Sequence, residues 1–197
     1  MSEISCGLAA YIVNGNEIEI FLVQPGGPFY KSKEYYVWSL PKGHHEGNGT
    51  YLDTAKREFE EETGIKVHLR QADPLPDAIT SHKKTIKAWA FESPERFKWR
   101  SSNLCTMEYK GKKVTFPEVK RGEWFTLSEA MKRITPSQQI FIQALAEKQA
   151  ELIKIQQRKK EMEEAAFKQN MIREERRKKF LKGIGKTNSD VLIESDK

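Results

Sequence analysis

Glu58, Glu61 and Glu62 fall at i, i+3 and i+4 if they lie on an α-helix, so that all three carboxylates project from nearly one face. At ~5.5 Å separation each like-charged pair repels by about 0.8 kcal/mol in water and ~3 kcal/mol at an effective dielectric of 20. A hard divalent cation turns that repulsion into binding. Oxygen-only donors favour Mg²⁺ or Mn²⁺ over zinc, and Mg²⁺ characteristically bridges carboxylates to substrate phosphates while keeping several waters. The chemistry this predicts is hydrolysis at phosphorus, with the cation screening phosphate charge and lowering the pKa of an attacking water. Arg57 stands four residues before Glu61, close enough to pair with it and hold its rotamer. Phe59 and Leu52 would anchor the opposite face. A bare glutamate run is more often a solvated helix surface, so the weight of the reading rests on the residues around it.

These side chains need a helix held at both ends. Between residues 50 and 63 the apolar positions Leu52, Ala55 and Phe59 are spaced by three and four; Thr50 followed by Asp53 suggests an N-cap, and Gly64 sits where a C-cap glycine belongs. Alternating runs at residues 4–13, 18–24, 85–91 and 114–116 read as strands. Asn14-Gly15 is a tight-turn signal, so the first two runs are expected to form a hairpin. Strands interleaved with a few helices predict an α/β or α+β domain, with no internal repeat at a solenoid period.

After Pro136 the texture changes. Residues 137–182 contain no Pro or Gly and are rich in Glu, Lys, Gln, Ala and Ile, which predicts a long helix or helix pair. A continuous helix of that extent is roughly 70 Å long, against a radius of gyration of ~14 Å for a 135-residue globule. Most of it therefore cannot pack on its own domain. The expected organisation is a catalytic domain over residues 1–148, a charged helical extension over 149–182 and a flexible tail over 183–197. Residues 136–197 hold 14 Lys/Arg against 10 Asp/Glu, so most of the net charge of +6 sits there.

The chain has 197 residues, 38% hydrophobic and 31% charged. It contains no run of the ~18 to 20 apolar residues that a membrane helix needs. Only Cys6 and Cys105 are present, too few for a disulfide scaffold or a cysteine-rich zinc site. A soluble cytoplasmic protein without a membrane partner is expected.

The segment from Gly43 to Ile65 resembles the signature of the Nudix hydrolases, G-x5-E-x7-R-E-U-x-E-E-x-G-U, where U is aliphatic or aromatic. Gly43, Arg57, Glu58, Phe59, Glu61, Glu62, Gly64 and Ile65 match in type and spacing. One position departs: the glutamate expected six residues after Gly43 is Gly49, and Glu46 does not replace it by position. Stretches around Trp38-Ser-Leu-Pro-Lys-Gly43, Ala88-Trp-Ala-Phe91 and residues 116–125 look like a bacterial subgroup of predicted nucleoside triphosphate pyrophosphohydrolases. The resemblance implies an α/β/α sandwich with a mixed sheet, here followed by the long C-terminal helical extension.

It further implies that Glu58, Glu61 and Glu62 are metal ligands, that Glu58 or Glu61 doubles as general base, and that Arg57 orients them. The Lys42 carbonyl is a further implied ligand, while its ammonium meets either substrate phosphate or solvent. Glu118 is the candidate acidic residue from outside the box, the alternative being a salt bridge to Lys120 or Arg121. His44 and His45 are candidate phosphate donors or loop-surface residues. Tyr36, Trp38 and Trp89 are candidates to stack on a base, although aromatics in strands are more often core.

The implied reaction is Mg²⁺-dependent hydrolysis of a nucleoside diphosphate linked to another moiety. Dinucleoside polyphosphates, diphosphoinositol polyphosphates and RNA 5′ ends are the rival substrates. A binding module with little turnover, motivated by Gly49, is the rival class. Some subfamilies carry a diagnostic Pro or Tyr where this chain has Ser81, His82 and Lys83. That stands against ADP-ribose hydrolases and the asymmetrical diadenosine group. In the extension, Leu152, Ile155 and Met162 sit near a/d spacing with Lys159 interrupting, so a homodimer through this helix is one expectation. The basic run at residues 173–179 reads first as a solvated helix face and only second as a nucleic-acid contact.

Overall fold

A computed structural model describes residues 3–69, 72–100 and 103–191, with side chains assigned up to residue 181. The chain divides into two compact units, Met1–Ala150 and Glu151–Lys197. In the first unit, β1 (Ile4–Asn14) and β2 (Glu17–Pro25) form the expected hairpin around the Asn14-Gly15 turn. Gly15 takes φ +62° there, in the left-handed region that tight hairpin turns require. β6 (Thr85–Glu92) lies parallel to β1 on its other edge, in register from Ile4↔Thr85 to Tyr11↔Glu92.

Three short strands, β3 (Lys42–His44), β4 (Asp73–Pro74) and β5 (Ala78–Ile79), pair with β1, β6 and β6 respectively. Among the described residues, β9 (Val119–Thr126) closes a seven-stranded mixed sheet by pairing with β2. β7 (Leu104–Tyr109) and β8 (Lys112–Pro117) form a separate two-stranded sheet.

Helix α1 (Tyr51–Thr63) packs Ala55 and Phe59 on Cys6, Leu8, Phe21 and Phe91 of the sheet. Leu52 is partly buried against the same cluster. Burial of this kind contributes about 1.5–3 kcal/mol per large apolar side chain. α2 (Leu127–Arg133) follows β9, and a 3₁₀ turn at Pro136–Gln138 leads into α3 (Gln139–Val191). The first turns of α3 belong to the first unit, where Phe141, Ile142 and Leu145 are buried.

The boundary at Ala150 lies two residues beyond the expected one, and Gln149 supplies a reason. Its Oε1 accepts from the backbone N–H of Ile18 at 2.6 Å, and Ile18 is 1% exposed. Lys148 pairs with Asp73 at 2.7 Å beside it. Gln149→Ala should cost about 1–3 kcal/mol, because a buried N–H loses its acceptor. Thermal denaturation of a chain ending at Ala150, with and without that change, measures it; equal midpoints would make the contact irrelevant to folding.

In the second unit α3 carries exposed apolar residues, among them Ile155, Met162, Phe167 and Phe180, between charged positions. Its backbone stays helical through residues 183–191, where Gly, Ser and Asn predicted a frayed tail, so these residues propagate an existing helix rather than nucleate a new one. Residues 192–197 of the expected tail lie outside the described residues. No helix among the described residues is long and apolar enough to cross a membrane.

Candidate active site

Local chemistry builds the carboxylate helix from both ends. Thr50 caps α1 by accepting from the Asp53 N–H at 3.1 Å, while the Asp53 carboxylate returns a bond to the Thr50 backbone, a full capping box. Gly64 ends the helix at φ 71° with its N–H bonded to the Glu60 carbonyl. Between these caps Phe59 faces the core, which places Glu58 and Glu62 at the sheet and Glu61 at the solvent side.

Arg57 ties two of the carboxylates together. Its guanidinium lies 2.6 Å from Glu58 Oε1 and donates to both Glu61 oxygens at 3.0 and 3.1 Å. It also reaches the His44 carbonyl at 3.4 Å, linking helix and loop. Glu62 is 8% exposed, and its Oε2 accepts from the Lys42 N–H at 3.2 Å. Burial pushes the Glu62 carboxyl up to about 8, with nearby Lys42 opposing and Glu118 and Glu58 reinforcing the shift. Burial also raises Glu58, against the pull of Arg57.

Gly43 is required at its position by contact as well as by signature. A Cβ there would stand 1.9 Å from Glu58 Oε2 and 2.1 Å from its Cδ. The missing side chain leaves the seat that the Glu58 carboxylate occupies.

The site opens on a cleft of ≈ 780 Å³ that Lys42, Gly43, His44, Glu62 and Glu118 all line. Glu118 sits between β8 and β9. Its N–H donates to the Asn103 carbonyl, and its own carbonyl accepts from Gly26, both at 2.8 Å. Tyr36 also lines the cleft, is 56% exposed and holds φ +60°.

Trp38, Trp89 and His45 do not line this cleft, and the His44 side chain has a partner of its own. Trp38 is fully buried, its indole N–H donating to the Glu34 carbonyl and its ring lying edge-on to Phe125 and under Arg121. Enclosed in this way, the ring has no face open to a base. Trp89 packs against the core cluster. The His44 side chain turns to Glu3, 3.4 Å away. His45 contacts Thr54 Oγ1 at 2.8 Å and stacks edge-on to Tyr51. Among the cleft residues to which sequence reasoning gives no binding role are Tyr30, Lys33, Thr80, Ser81, His82 and Lys84; the clustered Ser-His-Lys-Lys between two apolar strands is the available signal.

Gly49 holds φ +73°, and a Cβ there would have room, its nearest neighbour being Asp53 Oδ2 at 3.8 Å. Space therefore admits a side chain that the backbone disfavours. Gly49→Glu should lower stability by about 1–2 kcal/mol through left-handed strain alone. A melting temperature equal to that of the parent would show that the loop rearranges freely.

The donors assembled here are all oxygens and suit a hard divalent cation in type. Among the described residues no three His, Cys, Asp or Glu side chains converge as a ready-made cation site. Arg57 bridges Glu58 and Glu61 here.

Of the acidic residues on the capped helix, Glu62 lines the polar cleft, together with Lys33, Lys42 and Lys84. The family model of the NUDIX domain matches residues 7–145, and the chain belongs to that family. Its class is accordingly Nudix pyrophosphohydrolase, and enzymes of this family generally use divalent metal ions. Among solved structures it is similar to a C. elegans Ap4A hydrolase in a binary complex, at 20% identity and TM-score 0.51, covering 74% of this chain and 98% of that one. It is also similar to the NUDIX domain of Shewanella oneidensis NrtR complexed with ADP ribose, at 13% identity and TM-score 0.50, covering 75% and 88%. At these identities the likeness is one of fold. No curated protein matches the chain.

Proposed function

We propose that the protein is a Mg²⁺-dependent hydrolase, with Mn²⁺ as a substitute, that cleaves a diphosphate linkage in a nucleoside diphosphate joined to another moiety. The observation that carries this reading is the Glu62–Lys42–Gly43–Glu58 arrangement, in which Glu62, at the wall of a polar cleft, accepts from the Lys42 N–H while Glu58 lies behind the cleft-lining Gly43, burial raising the pKa of both carboxyls. Glu58, Glu61, Glu62 and the Lys42 carbonyl would hold the cation, with Glu118, which lines the same cleft as Glu62, as an additional ligand. When bound, the cation screens phosphate charge and acidifies a water molecule.

This chain's own residues do the rest. Lys42 places its ammonium against the phosphate oxygens, with His44 and Tyr36 at the rim. Glu58 accepts the proton as water oxygen bonds to phosphorus and the bridging P–O bond breaks. Burial raises the Glu58 carboxyl and so favours it as the base, while Glu61 is more exposed and bonded twice to Arg57. Arg57 keeps both carboxylates in place.

The left-handed Gly49 in place of the usual glutamate favours a second reading, a Nudix-fold binding module with little turnover. Dinucleoside polyphosphates, diphosphoinositol polyphosphates and RNA 5′ ends are alternative substrates of the same site. The apolar positions Ile155 and Met162, exposed and seven residues apart, support a homodimer through α3, which sedimentation at several concentrations tests. The free cysteines Cys6 and Cys105 accord with a cytoplasmic setting.

The deciding experiment measures release of phosphate and pyrophosphate from a nucleotide panel with Mg²⁺, with EDTA, and with Glu61 and Glu62 both changed to Gln. Metal-dependent release lost in the double variant is the expected result. Release that survives the substitutions moves the chemistry elsewhere, and nucleotide binding without release selects the binding module.

A further inference from the structure

Glu62 is the next-to-last residue of α1, at the end of a helix where backbone carbonyls lack intrahelical donors and the last turn ordinarily frays. That turn carries no basic side chain to oppose the negative end of the helix dipole. Yet Glu62 is buried and keeps its carboxylate on the Lys42 N–H. The Gly64 N–H satisfies the Glu60 carbonyl; the carbonyls of Glu62 and Thr63 are met from much farther along the chain.

The donors belong to residues 93–100, a strap that follows β6. Ser93 starts it with its N–H on the Tyr11 carbonyl at 2.7 Å, and Arg96 pairs with Glu19 of β2. Phe97 turns inward among Phe21, Phe59 and Trp124, with ring centroids 4.7, 5.8 and 5.0 Å away, and its carbonyl accepts from the Trp124 indole at 3.0 Å. Side chains then alternate, Phe97 and Trp99 partly buried against the core and Lys98 and Arg100 exposed. At the far end the Trp99 indole N–H donates to the Glu62 carbonyl at 3.0 Å, and the Arg100 backbone N–H to the Thr63 carbonyl at 3.2 Å. The strap is fastened to the large sheet at one end and to the last turn of α1 at the other.

We propose that Trp99 is a positioning residue for Glu62. By holding the Glu62 carbonyl, the indole fixes the stretch of backbone from which the carboxylate reaches Lys42, and with it the place of that carboxylate in the cleft wall. The inference rests on the hydrolase reading for the use made of Glu62, and adds to it a residue outside both the cleft and the signature segment. Packing alone needs a large apolar ring at this position; the indole N–H directed at a helix-end carbonyl is what sets positioning apart from packing.

Trp99→Phe tests this in the full chain, since it keeps an aromatic ring against the core and removes the donor. The Lys42 amide, whose acceptor is Glu62 Oε2, should exchange with deuterium about tenfold faster, the upper end for losing one neutral hydrogen bond. The Val23 amide, bonded to the Ser39 carbonyl, should change by less than about twofold, because global stability is little altered. A benzothiophene side chain at position 99, which keeps the bicyclic shape and exchanges N–H for sulfur, should give the same result. Titration with Mn²⁺ alone, followed by the electron paramagnetic resonance of the free ion, completes a double-mutant cycle: Trp99→Phe should weaken binding about fivefold in the parent and less than about twofold beside Glu62→Gln. An unchanged Lys42 rate, equal acceleration of Lys42 and Val23, or equal Mn²⁺ losses in both backgrounds would make Trp99 a packing residue and overturn the inference. Failure of the hydrolase reading shows separately, as Mn²⁺ binding that Glu62→Gln alone leaves unchanged while Lys42 still exchanges faster in Trp99→Phe.

Discussion

Glu62→Gln should abolish most turnover while making the protein more stable above neutral pH. The carboxyl is buried, and its pKa is pushed up to about 8 mainly by desolvation, so ionising it opposes folding. The sign follows from proton counting. Below the ordinary glutamate range, about 4.3, both folded and unfolded chains carry the proton and the site costs nothing. As pH rises from there toward about 8, the unfolded chain ionises first and the native state loses stability progressively; above that value the penalty is complete. Glutamine keeps an acceptor for the Lys42 N–H and never ionises, so the variant's stability should be flat across this window. Activity should fall by roughly 10²- to 10⁴-fold, the range for losing a group that governs the reacting proton or water. Denaturant titrations from pH 5 to 9 beside initial rates separate the two effects. Undiminished activity in the variant would reduce Glu62 to a structural residue.

Gly43→Ala should do comparable damage by geometry alone. The added methyl would meet the Glu58 carboxylate at 1.9 Å, and Glu58 can yield only by abandoning its 2.6 Å pair with Arg57. The displaced atoms belong to the end of a side chain, so the fold should survive with a loss within about 1 kcal/mol, typical of a substitution outside the core. Turnover should drop on the order of 10²-fold, since an ångström of misplacement at reacting groups costs that much. Unchanged turnover at an unchanged melting temperature would show that the Glu58 seat has no part in the chemistry.

The legible parts of this molecule are those set by local rules. The span, both caps and the core face of the carboxylate helix follow from Thr50, Asp53, Phe59 and Gly64, and the first hairpin follows from Asn14-Gly15. The illegible parts are set by long-range pairing or by unusual local geometry. Nothing near β1 announces that its parallel partner is β6, some eighty residues on, or that β3, three residues long, will seat Lys42 against Glu62. The β7–β8 hairpin turns at Lys110-Gly111, both left-handed, where Asn or Asp would be the usual first residue; β7 therefore carries no ordinary hairpin signal. Trp38 attracts a base-stacking role from its place beside the signature, yet the surrounding fold buries it. The depth of Glu62 is likewise a tertiary property: its sequence neighbours Glu60 and Glu61 are exposed.

Glu58 and Glu62 depend on the large sheet, whereas Glu118 joins the two-stranded ribbon to β9 of that sheet and is fastened through backbone bonds to Asn103 and Gly26. A ribbon with alternate side chains exposed and little buried surface opens at lower free energy than a seven-stranded sheet. Its amides should exchange with deuterium sooner than those of β1 and β6. Each such excursion frees Glu118 on the Asn103 side alone, while its bond to Gly26 and its junction with β9 hold, so the acid is loosened within the cleft rather than carried out of it.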